Sequence, residues 1–175
     1  CGAGIVICPA TEANLGDGIF DMTAWRSQGG RWGVGSDSHA CVNAAEELML
    51  LEYSQRLATR QRNVLARDGE RDVATAMTLD AVLGGAQASG RAIGGLALGQ
   101  QADFMVLEAQ HPLLRELPTP QAMLSAHVFA SHRRSAVGEV WVGGRLRVHE
   151  GVHPLAEEAS RALIAARSDL LTSEP

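Results

Sequence analysis

The stretch GVGSDSHACVNAAEELMLLEYSQRL, Gly33 to Leu57, holds the signals that decide the fold class. Trp32 to Gly35 is a short apolar run of the kind that forms a buried strand. It ends in the small and polar residues Ser36, Asp37, Ser38 and His39. From Asn43 to Ala58 the apolar residues Ala44, Leu48 and Leu51, flanked by Ala45, Met49 and Leu57, recur at helical spacing, with Glu46, Glu47 and Glu52 interleaved. The acidic pair near the start suits the positive end of the helix dipole. A strand, a carboxylate-bearing turn and a helix make the repeating unit of a parallel α/β fold, in which strand C-terminal ends carry ligands and catalytic groups.

Upstream, Ile5 to Cys8 is a second apolar run, closed by Pro9, that suits a strand buried on both faces. The following PATEANLGDG, Pro9 to Gly18, reads as a loop from its turn residues, and it carries Thr11, Glu12 and Asn14 directly after a strand end. A short helix over Asp21 to Gln28 is stopped by Gly29-Gly30. Downstream, Arg60 to Asp72 is charged and reads as an exposed connection or helix extension. Thr78 opens a further helix that runs to Ser89 and ends at Gly90. Gly84 and Gly85 inside it cost about 1 kcal/mol each relative to Ala, which close helix packing would justify.

After Gly90 the texture changes to short strands: Phe104 to Leu107, and a hairpin over Gly138 to Arg147 that turns at Gly143-Gly144 and resumes with Leu146 and Val148. Leu155 to Leu171 closes the chain as an Ala- and Arg-rich helix. The expected organisation is an α/β piece over residues 1–92 and a β-rich piece with a terminal helix over residues 93–175.

The chain has 175 residues, 46% hydrophobic and 20% charged, which excludes disorder and allows one good core. It has neither the ~18 consecutive apolar residues of a membrane span nor the basic start of a signal peptide, so the expectation is a cytoplasmic protein without a membrane partner. Cys1, Cys8 and Cys41 are too few and too irregularly spaced for a disulfide framework or a metal knuckle, and read as incidental thiols of a reducing compartment. A net charge of -5, with no basic cluster larger than Arg133-Arg134, argues against nucleic acid and for a small polar substrate. Residue 1 is Cys rather than Met and leads at once into the first strand, so the expectation is a chain entered in mid-fold.

Asp37 is the strongest chemical candidate, because a carboxylate at the C-terminal end of a parallel strand sits where metal ligands and general bases collect. The alternative is a helix N-cap or Asx-turn. His39 reads as a packed or hydrogen-bonding residue. Other motifs fail: Gly33-Val34-Gly35 lacks the third glycine of a dinucleotide loop, and a chain whose fifteen basic residues are all Arg has no Walker lysine. The HxE and PCxxC pair of cytidine deaminases is missing. His127, His132, His149 and His153 read as scattered surface histidines.

CPATEANLGDGIFD, Cys8 to Asp21, together with Gly33 to Leu57, resembles the formimidoylglutamate deiminases of the amidohydrolase superfamily. TLDAVLGGAQASGR (Thr78 to Arg91), LGQQADFMVL (Leu98 to Leu107) and VGEVWVGGRL (Val137 to Leu146) are similar to that superfamily's usual ending. The resemblance implies the last two strands of a (β/α)8 metal-dependent barrel, Ile5 to Cys8 as the seventh and Trp32 to Ser36 as the eighth, followed by part of a small β-sandwich. It implies hydrolysis of N-formimino-L-glutamate to N-formyl-L-glutamate and ammonia at a single Zn²⁺. Asp37 would be both a zinc ligand and the base that takes a proton from the bound water, and Thr11, Glu12 and Asn14 would stand near the substrate. The intact enzyme would be a homodimer. No HxH pair is present and two strands stand where a barrel has eight, so the 175-residue chain by itself is expected neither to hold zinc tightly nor to deiminate. The alternatives are another superfamily member, such as a guanine deaminase or chlorohydrolase, against which the TEANLGDG loop tells, and a short non-catalytic protein.

Overall fold

A computed structural model describes residues 2–131 and 135–172; Cys1, His132 and the Arg133-Arg134 pair lie outside that range. Strands β1 (Gly4–Ile7) and β2 (Arg31–Val34) pair in parallel, Ile5 opposite Trp32 and Ile7 opposite Val34. Helices α1 (Pro9–Leu15) and α2 (Met22–Ser27) connect them, and α3 (Ala44–Thr59) and α4 (Val73–Ser89) follow β2. Then come β3 (Phe104–Leu107), α5 (Pro120–Ala130), β4 (Val137–Val142), β5 (Arg145–Val148) and α6 (Ala156–Thr172). The last three strands form an antiparallel sheet in the order β3-β4-β5. Helix α3 begins where the apolar period predicts it, capped by Asn43, whose Oδ1 accepts from the Ala45 and Glu46 N–H groups.

Pro9 to Gly18 is not the expected loop but begins as a helix. Proline at the first helical position needs no donor and has its φ pre-set, and the Glu12 carboxylate reaches back to accept the Cys8 N–H at 3.0 Å. Gly16, at φ 78°, ends the helix in the left-handed conformation. Helix α4 starts at Val73 rather than Thr78, because Asp72 accepts the Thr75 N–H at 2.8 Å and supplies the cap. Helix α5, for which the sequence offered no reading, is capped by Thr119 and opens with Pro120.

The core gathers Ile7, Met22, Trp32, Leu51, Met77 and Val128 between the parallel strands and their helices. Residues 60–72 form the largely exposed connection expected, anchored to this core by Leu65, which is fully buried. The Val64 and Leu65 N–H groups donate to the Glu52 carboxylate, which is itself 0% exposed and paired with Arg56 at 2.7 Å. Strand β1 is not covered on both faces as expected: Ile7 is buried but Val6 is 51% exposed.

Helix α4 lies directly on β2. A Cβ at Gly84 would stand 1.8 Å from the Trp32 carbonyl oxygen, and one at Gly33 would stand 3.0 Å from the Gly85 nitrogen. Backbone meets backbone there, which gives Gly84 the packing reason its helix position demanded; a Cβ at Gly85 would meet nothing within 4 Å. In the small sheet Gly143 and Gly144 hold φ 58° and 71°, as a two-residue hairpin turn requires. Phe104 pairs with Trp141 across β3 and β4, their rings stacked at 5.8 Å. Helix α6 is exposed along its described length.

Candidate functional site

Because β1 and β2 are parallel, their C-terminal ends share one edge, and this brings Cys8, at the end of β1, next to the turn that follows β2. The Gly35 N–H continues the ladder to the Ile7 carbonyl at 3.0 Å, and a Cβ on Gly35 would lie 3.3 Å from the Cys8 Sγ. The chain then reverses over Ser36 to His39, closed by a hydrogen bond from the His39 N–H to the Ser36 carbonyl at 2.9 Å. Asp37, the second residue of this turn, has φ 45°, a left-handed conformation that L side chains seldom adopt and that Asp tolerates better than most. Its carboxylate is exposed at the edge. Asn43, not Asp37, caps the following helix, so the capping alternative for Asp37 does not hold.

Thr11, from the first turn of α1, is 3% exposed and sits behind Asp37. Its hydroxyl donates to the Ser36 carbonyl at 2.7 Å and accepts the His39 N–H at 3.1 Å. The His39 ring takes the hydrogen-bonding role expected of it, with Nδ1 accepting the Cys41 N–H at 3.0 Å. Glu47, from α3, is only 2% exposed and accepts the Ala10 N–H at 2.9 Å. Burial raises its carboxyl above the ordinary range, while the Ala10 hydrogen bond and the charge of His39 pull the other way.

Burial also raises the Cys8 thiol, and the negative charges of Asp37, Glu12 and Glu47 add to the effect. Three carboxylates therefore surround the end of β1, but two have structural partners: Glu12 holds the Cys8 N–H and Glu47 the Ala10 N–H. Asp37 is the one presented to the edge. The sequence had singled out Thr11, Glu12 and Asn14 together. The fold separates them into a buried bridge, a helix-start acceptor and an exposed residue. Glu47 was missed as part of the site because its helical period reads as an exposed polar face.

Of the histidines read as surface residues, His149 and His153 are exposed. His127 is not the expected surface residue: it is 6% exposed, and its Nδ1 has no hydrogen-bond partner among the described residues. It lines a mostly apolar cavity of about 750 Å³ with Leu48, Val82, Leu124, Val128 and Val140. Burial lowers its pKa. Among the described residues no group of three or more His, Cys, Asp or Glu side chains could hold a metal ion. No helix among them is long and apolar enough to cross a membrane.

The chain is 44% identical over 170 residues to the formimidoylglutamate deiminase of Pseudomonas aeruginosa, a match that covers 97% of this chain and 37% of that protein. Its fold superposes on a crystal structure of an amidohydrolase from Brucella melitensis with a TM-score of 0.85 and 42% identity, covering 97% of this chain and 36% of that one. It also matches an adenosine deaminase from Xanthomonas campestris with bound zinc, at a TM-score of 0.74 and 19% identity over 94% of this chain and 36% of that one, a likeness of fold alone. The chain thus spans little more than a third of the length of these proteins. The sequence model of the amidohydrolase family matches residues 2–147, from the parallel strands through the small sheet, and the chain belongs to that family.

Proposed function

We propose that this chain supplies the Asp37 side of the active site of a hydrolytic deiminase whose substrate is N-formimino-L-glutamate. The observation that carries the reading is the placement of Asp37: it is the carboxylate at the open C-terminal edge of two parallel strands that is free of helix-capping and helix-start bonds. The 44% identity to a formimidoylglutamate deiminase supports this choice of substrate. In the reaction water adds to the formimino carbon, the bond from that carbon to the terminal nitrogen breaks, and ammonia leaves N-formyl-L-glutamate behind. Asp37 takes a proton from the attacking water and returns it to the departing nitrogen, the exchange a positioned carboxylate performs in general acid–base catalysis.

Zinc is the metal that the family resemblance implies for such a water. A catalytic zinc takes three protein ligands, and among the described residues no group of three His, Cys, Asp or Glu side chains could hold one, so they do not fit a complete zinc site. On this reading β1 and β2 are the seventh and eighth strands of a (β/α)8 barrel, residues 1–92 are its C-terminal part, and residues 93–175 are the later half of a β-sandwich with a terminal helix. The substrate is a small polar molecule, and the complete enzyme a homodimer.

The test replaces the matching 170-residue region of the P. aeruginosa enzyme with this chain. A chimera that folds, by circular dichroism and gel filtration, should release ammonia from N-formimino-L-glutamate and not from guanine. Asp37→Asn should lower kcat by about 10²-fold to 10⁴-fold with an unchanged melting temperature. A folded chimera without turnover, or an Asp37→Asn variant with near-normal kcat, would refute the proposal.

A further inference from the structure

We infer that Thr11 is a positioning residue for Asp37, and that its hydroxyl holds the carboxylate-bearing turn in its reactive shape; this rests on the deiminase reading above. The turn Ser36 to His39 has one hydrogen bond of its own and places a non-glycine residue at φ 45°. Such a backbone is strained and persists only where its surroundings determine it more strongly than the local preference opposes it. The Thr11 hydroxyl meets that need, because it contacts both ends of the turn at once, donating to the Ser36 carbonyl at 2.7 Å and accepting from the His39 N–H at 3.1 Å. One oxygen therefore fixes the separation of the first and last residues while Asp37 projects from between them.

Thr11 itself has little freedom. It belongs to the rigid first turn of α1, is almost wholly buried, and the Ala10 N–H beside it is tied to Glu47 of α3 at 2.9 Å. The position of the Asp37 turn is thus referred to two helices rather than to its own loop. No other side chain among the described residues bonds to the Ser36 carbonyl and the His39 N–H together. Serine keeps the bridging oxygen at this position, whereas valine keeps the shape of threonine and removes the oxygen.

The experiment has two arms. In the 175-residue chain, NMR reads the strong intraresidue amide–Hα Overhauser effect that marks a left-handed φ at Asp37, with the amide shifts of Asp37 and His39. Wild type and Thr11→Ser should share them, and Thr11→Val should lose the effect and shift both amides while its unfolding midpoint shows the chain still folded. Thr11→Ala repeats the measurement should valine not be accommodated. In the chimera, Thr11→Val should lower kcat by about 10²-fold, the penalty of a misplaced reacting group, with KM nearly unchanged, and Thr11→Ser should restore most of it. Folded Thr11→Val and Thr11→Ala chains that keep the Asp37 signals would overturn the inference, as would loss of kcat that serine does not rescue. An inactive wild-type chimera would count against the deiminase reading alone, and the NMR arm would still decide the role of Thr11.

Discussion

Replacing Gly84 by Ala should make this protein easier to unfold, whereas the same change at the next residue, Gly85, should stabilise it. The chemistry of the two substitutions is identical, so intrinsic helix propensity predicts a gain of about 1 kcal/mol for both. The surroundings separate them. A methyl group at Gly84 would stand 1.8 Å from the Trp32 carbonyl oxygen and 2.2 Å from its carbon, and these are backbone atoms that cannot rotate aside. To recover ordinary contact α4 must retreat from β2 by about 1.5 Å, more than the gap that already forfeits half of a dispersion well along the seam. Overpacking of this kind costs about 1–3 kcal/mol, and a backbone-to-backbone clash belongs at the top of that range, so after the propensity gain about 2 kcal/mol of stability is lost. At Gly85 nothing lies within 4 Å and the gain of about 0.5–1 kcal/mol stands.

Urea and thermal unfolding followed by tryptophan fluorescence, to which the buried Trp32 contributes beside Trp25 and Trp141, measure both. In a domain of this size the expected shifts in melting temperature are a fall of about 4–8 °C for Gly84→Ala and a rise of about 2 °C for Gly85→Ala. If Gly84→Ala melts at or above the wild-type temperature with an unchanged denaturant slope, the backbone contact between α4 and β2 is not there.

Glu52→Ala removes the acceptor of the Val64 and Leu65 amides and the partner of the partly exposed Arg56 guanidinium, and should cost about 2–3 kcal/mol in chemical denaturation, with Glu52→Gln costing less; a loss under about 1 kcal/mol for the alanine variant would contradict these bonds to a buried carboxylate. Burial holds the His127 imidazole below its usual pKa of 6.5, so as pH falls the unfolded chain takes up the proton first. Its contribution is therefore full above about pH 6.5 and is lost on acidification, at no more than about 1.4 kcal/mol per pH unit. Stability measured between pH 8 and 5 should fall less steeply in His127→Gln than in wild type, and equal slopes would place the imidazole outside the core.

What could be read from the residues alone was whatever local spacing controls. The apolar period of α3, the runs that become β1, β2 and β3, and the Gly143-Gly144 hairpin each depend on neighbours a few positions away. So does the placement of Asp37 after a strand, although its choice over a helix cap came from family resemblance, and the structure then moved the cap to Asn43. The features that eluded a local reading have partners far along the chain. Thr11 meets Ser36 across 25 positions, Glu47 meets Ala10 across 37, and Asp72 accepts from Ser125 across 53. An acidic residue at helical spacing reads as solvated until another element's amide arrives to bond it, and a Thr in a turn-rich segment reads as loop until a helix forms around it. Sequence determined the elements that local spacing controls, β1, β2, β3 and α3 among them, and placed the Asp37 carboxylate after a strand. Only the tertiary structure decided which carboxylates are tied to buried amides and which hydroxyl holds the turn, because hydrogen bonds in the interior are selected by proximity in space.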